Sequence, residues 1–150
     1  MNIIVRPKKV LIGKASETAY DWTGVLRVEY EEESPWVHID IPGGLMVHQH
    51  IKSPHVRGVI SCVDLDSFKT ALFDTVIDDE NHKAIDTSNF YTKWTVKYLR
   101  IIVVNESMVE QYFDVDNFKV DRIEVENVEL GREAIFKVYF TADRVLISST

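Results

Sequence analysis

The chain has 150 residues, the size of one domain, and 45% of them are hydrophobic, enough to build a core. Lysine and arginine total 17 against 24 aspartates and glutamates, a formal charge of −7, which disfavours affinity for nucleic acid built on neutralising phosphates. No apolar run approaches the roughly 18–20 residues that span a bilayer, and one cysteine, Cys62, leaves no intrachain disulfide.

The first residues, Met1-Asn2-Ile3-Ile4-Val5-Arg6-Pro7-Lys8-Lys9, hold too short an apolar stretch for a signal peptide, and the charges follow it instead of preceding it. The expectation is a protein made in the cytoplasm of the producing cell, without a membrane partner. No repeat, low-complexity segment or Pro/Gly linker divides the chain, so residues 1–150 read as a single domain.

Residues 3–12 read as a strand interrupted at Arg6-Pro7-Lys8-Lys9. Residues 24–30 alternate, with Val28 and Tyr30 on one face and charges on the other. Glu31-Glu32-Glu33-Ser34-Pro35 reads as a polar turn at a hairpin tip. Residues 36–41 alternate again, Pro42-Gly43-Gly44 turns the chain, and residues 45–51 form the next strand. This succession predicts a β meander, continued by a strand over 56–63.

The period then changes. Asp64 or Asp66 can cap a helix, and Leu65, Phe68 and Leu72 fall on one helical face, which predicts a short helix over 65–73. Residues 78–92 are polar and without period, a long connection of the kind used in contacts. Beyond them lie long β-rich runs at 94–104, 118–128 and 134–148, while 109–115 suits either a strand or a loop. The fold class is mainly β, two packed antiparallel sheets as a β-sandwich or open barrel, with one short helix.

No nucleophile motif and no phosphate-cradling glycine loop is present. Cys62, inside an apolar run, reads as a small buried side chain and not as a nucleophile. Asp114 and Asp116 begin like a calcium loop, but Lys119 and Val125 stand where its glycine and glutamate belong. His48 and His50 are two apart on a predicted strand, which puts both on one face, as in β-barrel metal sites. His55 or His38 could add a third ligand. The Gly43-Gly44 turn upstream resembles the first motif of the cupin family, but Pro54 and His55 stand where that pattern needs a glutamate. The pair therefore reads first as solvated histidines, with no cofactor or metal expected, and second as a metal- or ligand-binding, cupin-like β-barrel.

Ser53-Pro54-His55-Val56-Arg57-Gly58-Val59-Ile60-Ser61-Cys62-Val63-Asp64 runs into the predicted helix. Together with the meander before it and the long strands after it, this stretch resembles the tail-tube proteins of tailed viruses and related contractile machines. The resemblance implies a non-catalytic subunit that assembles with its own copies into stacked rings, as a hexamer or another ring, inside a virion or tail-like particle. Other assembly proteins would be its partners, and nucleic acid would not be bound specifically. An acidic bore would let DNA slide past. Within such an assembly Glu31, Glu32 and Glu33 would face Arg6, Lys8 and Lys9 of a neighbour, and the long strands at 94–104 and 134–148 would offer sheet edges. The remaining reading is a β-sandwich interaction module without catalysis.

Overall fold

A computed structural model describes residues 2–13, 16–33, 36–41, 45–50, 55–66, 68–69, 95–96, 98–126 and 134–149. In chain order the elements are β1 (Ile3–Val5), β2 (Lys9–Gly13), a 3-10 turn at Ser16–Thr18, β3 (Tyr20–Asp21), β4 (Val25–Glu33), β5 (Trp36–Ile41), β6 (Leu45–His50), β7 (His55–Cys62), β8 (Thr95–Val96), β9 (Tyr98–Val104), β10 (Glu110–Asp116), β11 (Phe118–Glu126), β12 (Ile135–Ala142) and β13 (Arg144–Ser149).

They form two large sheets and a ribbon. One sheet runs β1-β4-β7-β12-β11-β8, the second β13-β10-β9-β2-β3, and among the described residues β5 pairs only with β6. Every pairing is antiparallel. The expected two packed sheets are present, and neither closes into a barrel, which removes the architecture of the cupin-like alternative.

Alternation explains the core. Val56, Ile60 and Cys62 on β7, Val138, Phe140 and Ala142 on β12, and Val28 and Tyr30 on β4 all turn inward. They meet Val10 and Ile12 of β2, Leu99 and Ile101 of β9 and Val115 of β10 in one apolar cluster. Val120 and Ile123 of β11 are both buried although they are three apart. A bulge between Val120 and Arg122 resets the alternation and makes this possible. Gly58 lies opposite Phe140 in the β7–β12 ladder. A Cβ at Gly58 would stand 2.5 Å from the Glu29 carbonyl oxygen and 2.7 Å from Phe140 Cζ, so the Phe140 ring occupies the place of a side chain there.

Three apolar runs that read as single strands are each divided between the sheets. Residues 3–12 become β1 in the first sheet and β2 in the second, 94–104 become β8 and β9, and 134–148 become β12 and β13. Residues 109–115 contribute the strand β10. The expected meander is not formed, because β4 pairs directly with β7 and leaves β5 and β6 as a separate ribbon. Nor is Glu31-Glu32-Glu33 a turn, since β4 continues through Glu33 and keeps its ladder with Arg57, Val56 and His55.

Only the start of the expected helix at 65–73 is described. Lys69 N–H donates to the Leu65 carbonyl at 2.8 Å, a single helical turn. Asp64 Oδ1 accepts the Asp66 N–H at 2.8 Å and so acts at its entry. Phe68 of this turn is fully buried and stacks on Trp22, ring centroids 4.8 Å apart. Trp22 Nε1–H donates to the Asp64 carbonyl at 3.3 Å. The 78–92 loop, the Pro42-Gly43-Gly44 turn and the rest of the helix lie outside the described residues.

Burial settles the reading of Cys62. Its side chain is wholly enclosed, and desolvation pushes the thiol up to about 12. A backbone hydrogen bond from the Asp64 region opposes this shift and the Asp64 charge adds to it.

Two outcomes follow from this packing. Gly58→Ala destabilises the fold by about 1–3 kcal/mol, because the added carbon meets backbone and a buried ring. An unchanged urea midpoint would contradict the close approach. Cys62 resists an aromatic disulfide reagent in native buffer and reacts fully once the chain is unfolded. Fast labelling of the native protein would mean that the strand pairing around Cys62 is wrong.

Candidate assembly surfaces

Four strands end the two large sheets: β1 and β8 in the first, β13 and β3 in the second. Their lengths are unequal. β1 has three residues, β8 and β3 two each, and β13 six. Short edges protect themselves against adding a strand, while a long one offers a row of backbone groups. β13 bonds to β10 on one side and carries no ladder on the other among the described residues. Leu146 is 45% exposed and Ile147 60% exposed. Its one charged residue, Arg144, sits at the start and is held by Asp116, Nε to Oδ2 2.6 Å. Of the long runs expected to supply edges, 134–148 does so through β13 and 94–104 only through the two-residue β8, because β9 and β12 are flanked on both sides.

The expected charge partners stand far apart within the chain. β1 pairs with β4 from Ile3–Tyr30 to Val5–Val28. Arg6 therefore follows at the end of the sheet nearest Arg27, while Glu31 to Glu33 continue β4 past the other end of β1. At about 3.3 Å per residue this separates Arg6 from the three glutamates by roughly 13–20 Å, while Lys8 and Lys9 stand at the start of β2 in the second sheet. Glu31 and Glu32 are exposed, as is Arg6. Lys8 Nζ is 3.9 Å from Glu110 and Lys9 Nζ 3.5 Å from Asp21, with both pairs largely in solvent. Exposed pairs of this kind contribute about 0–1 kcal/mol and exchange easily for another partner.

The outer face of the second sheet is held by a denser network. Arg100 donates two hydrogen bonds to Asp114, 2.7 and 3.1 Å, across the β9–β10 ladder. Its guanidinium carbon lies 4.5 Å from the Tyr112 ring centroid and 5.7 Å from that of Tyr98. The bond to Asp114 holds the guanidinium more firmly charged, against an opposing effect of burial. Tyr112 donates its hydroxyl to Glu110 at 2.9 Å, which raises its pKa. Asp114 and Asp116 thus lie on a strand and are engaged by Arg100 and Arg144, so the calcium-loop reading has no structural support.

The histidines are sorted by register. The β5–β6 ladder sets His38 opposite His48 and Trp36 opposite His50. His55 begins β7 and pairs with Glu33 of β4, away from that ladder. Among the described residues no group of three or more His, Cys, Asp and Glu side chains is placed to share a metal ion. Sequence reasoning singled out His48 and His50 with His55 or His38 as a third, but not the register that sets His38 opposite His48. The strand alternation over 36–41 and 45–50 with a tight connection between was the signal that could have found it. It expected an edge from the run 134–148 but not that β13 alone supplies it, because nothing in that run marks the change of sheet.

No protein-family model matches the sequence, and no curated protein does. Solved structures do. A chain of the sheath–tube complex of an extracellular contractile injection system, PVC, in its extended state superposes with a TM-score of 0.58 at 14% identity, over 97% of this chain and 93% of that one. A chain of the six-fold symmetrised baseplate of the anti-feeding prophage gives 0.54 at 12% identity, over 98% and 91%. A chain from the tail of an empty GTA particle with C6 symmetry gives 0.52 at 10%, over 95% and 94%. Coverage this complete on both sides makes the likeness one of whole chain to whole chain, and at these identities it is a likeness of fold. At that level the resemblance to the tail-tube proteins of contractile machines holds.

Proposed function

We propose that this protein is a structural, non-catalytic subunit that assembles with copies of itself into rings, stacked as the tube of a tail-like particle. The observation that carries the reading is the end-to-end fold likeness to chains of a sheath–tube complex and of a C6-symmetric tail. The C6 symmetry of that tail supports six subunits per ring, and the proposal includes synthesis in the cytoplasm and incorporation into a virion or a related particle. Its partners are its own copies and other assembly proteins, with no membrane and no specific nucleic acid, in keeping with the charge of −7.

The charge placement suits this arrangement. Glu31 to Glu33 past one end of the β1–β4 pairing and Arg6 past the other favour head-to-tail contact, which generates rings and stacks, over a self-complementary dimer. Glu31, Glu32 and Glu33 of one subunit would meet Arg6, Lys8 and Lys9 of the next. β13 would extend the second sheet by pairing with an edge strand of a neighbour.

Light scattering and negative-stain imaging across a concentration series test the proposal. Rings or tubes are expected, with a ring mass about six times the 17.3 kDa chain. A chain that stays monomeric at high concentration would overturn it and favour the interaction module. Ile147→Lys is expected to shift assembly to at least about tenfold higher concentration by charging the open edge. A double variant Glu31→Lys, Glu32→Lys and a second, Lys8→Glu, Lys9→Glu, should each fail to assemble alone and should assemble when mixed. Assembly of either one alone would remove the charge contact from the proposal. Raised salt should weaken wild-type assembly in the same way.

A further inference from the structure

We infer that the outer face of the second sheet lines the bore of the tube, and that this wall is electrically balanced instead of acidic. The inference rests on the ring proposed above. β13, the longest edge strand of the two large sheets, belongs to the second sheet, so this is the sheet that can run on from copy to copy. It is also the narrower layer, with five strands against six.

Width decides which layer lies inside. Six copies of five strands, at about 4.8 Å per strand, close a circle of roughly 23 Å radius. The first sheet, about 10 Å farther out, then has roughly 35 Å of arc per copy and fills about 29 Å of it with its six strands. With the layers exchanged, the second sheet would have roughly 39 Å of arc per copy and only about 24 Å of strands to fill it. β13 would then not reach a neighbouring edge.

The charges of this face cancel. Leu99, Ile101 and Val115 turn into the core, so Arg100, Asp114 and Asp116 point the other way. Arg100 stands directly opposite Asp114, and Arg144 directly opposite Asp116, each bonded across its ladder. At the rim, where the charge contact between copies is proposed, Lys9 lies 3.5 Å from Asp21 and Lys8 3.9 Å from Glu110. Tyr98, Tyr112 and Ser148 share the face without adding charge. Among the described residues each cation of this face thus has one carboxylate against it, and the acidic excess behind the net −7 is carried elsewhere. A polyanion in such a bore meets neither an uncompensated cation to hold it nor a net field to repel it, and it passes for want of adhesion.

Two readouts on the assembled protein test this. Tyr112→Cys on this face and Glu124→Cys on the outer face of the first sheet are each labelled after assembly with a small maleimide gold cluster and imaged end-on, while the enclosed Cys62 stays unlabelled. Gold inside the ring for position 112 and outside it for position 124 is expected. Gold outside the ring for position 112, or a position 112 that reacts in free subunits and is closed to the label in rings, would overturn the assignment and leave the ring reading standing. Failure of the wild type to form rings would overturn both. For the charge, Asp114→Asn combined with Asp116→Asn strips Arg100 and Arg144 of their carboxylates. Rings of this double variant should retain a labelled single-stranded DNA oligonucleotide at least about tenfold more strongly than wild-type rings, and raised salt should remove the difference. Equal retention by the two would sink the balanced wall.

Discussion

Phe140 lying over Gly58 is the contact on which the larger sheet depends. β7 stands between β4 and β12, and at Gly58 it faces the Phe140 ring on one neighbour and the Glu29 carbonyl on the other. A side chain at position 58 would push both ladders apart. With none, the Phe140 ring reaches Phe118, centroids 4.9 Å apart, and closes the apolar layer toward the second sheet. The registers of β4 and β12 against β7 are thereby set together, and the placement of Glu31 to Glu33 along the sheet follows from them.

The second sheet is tied to the first at a corner. β10 passes into β11 at Asn117, and β12 into β13 at Asp143. Asn117 takes a positive φ of 55°, which an asparagine tolerates better than most side chains. Its amide donates to Asp143 at 2.5 Å, and the Asp143 N–H donates to the Asp116 carbonyl at 3.0 Å. Two strands thus leave one sheet for the other side by side, in the manner of packed sheets whose corners are made by bent strands. This corner puts β13 outside β10, at the edge of its sheet. The surface proposed for assembly is in this sense a product of the same bends that enclose the core.

Much of the fold was legible, for a plain physical reason. Side chains alternate across a strand, so Val28 and Tyr30, or Val138 and Phe140, announce a buried face wherever they occur. The site was less so. His48 and His50 stand two apart in the sequence, but that His38 is opposite His48 is set only by the pairing of β5 with β6. The charged groups were visible as groups. The separation of Arg6 from the glutamates was not, because it comes from the register of β1 on β4.

From residues alone came the strand periodicity, the buried character of Cys62, the absence of a nucleophile motif and the acidic balance, since each depends on side-chain chemistry or local spacing. The tertiary structure alone decided which sheet each half of a long apolar run joins, that Glu31 to Glu33 extend a strand, and that β5 and β6 pair apart from the two large sheets among the described residues. A bend at Asp143 or at Arg6-Pro7-Lys8 leaves the alternation of its flanks intact, so nothing local records that the chain has changed partners. That choice belongs to the shared core, where the two sheets must cover each other's apolar faces at once.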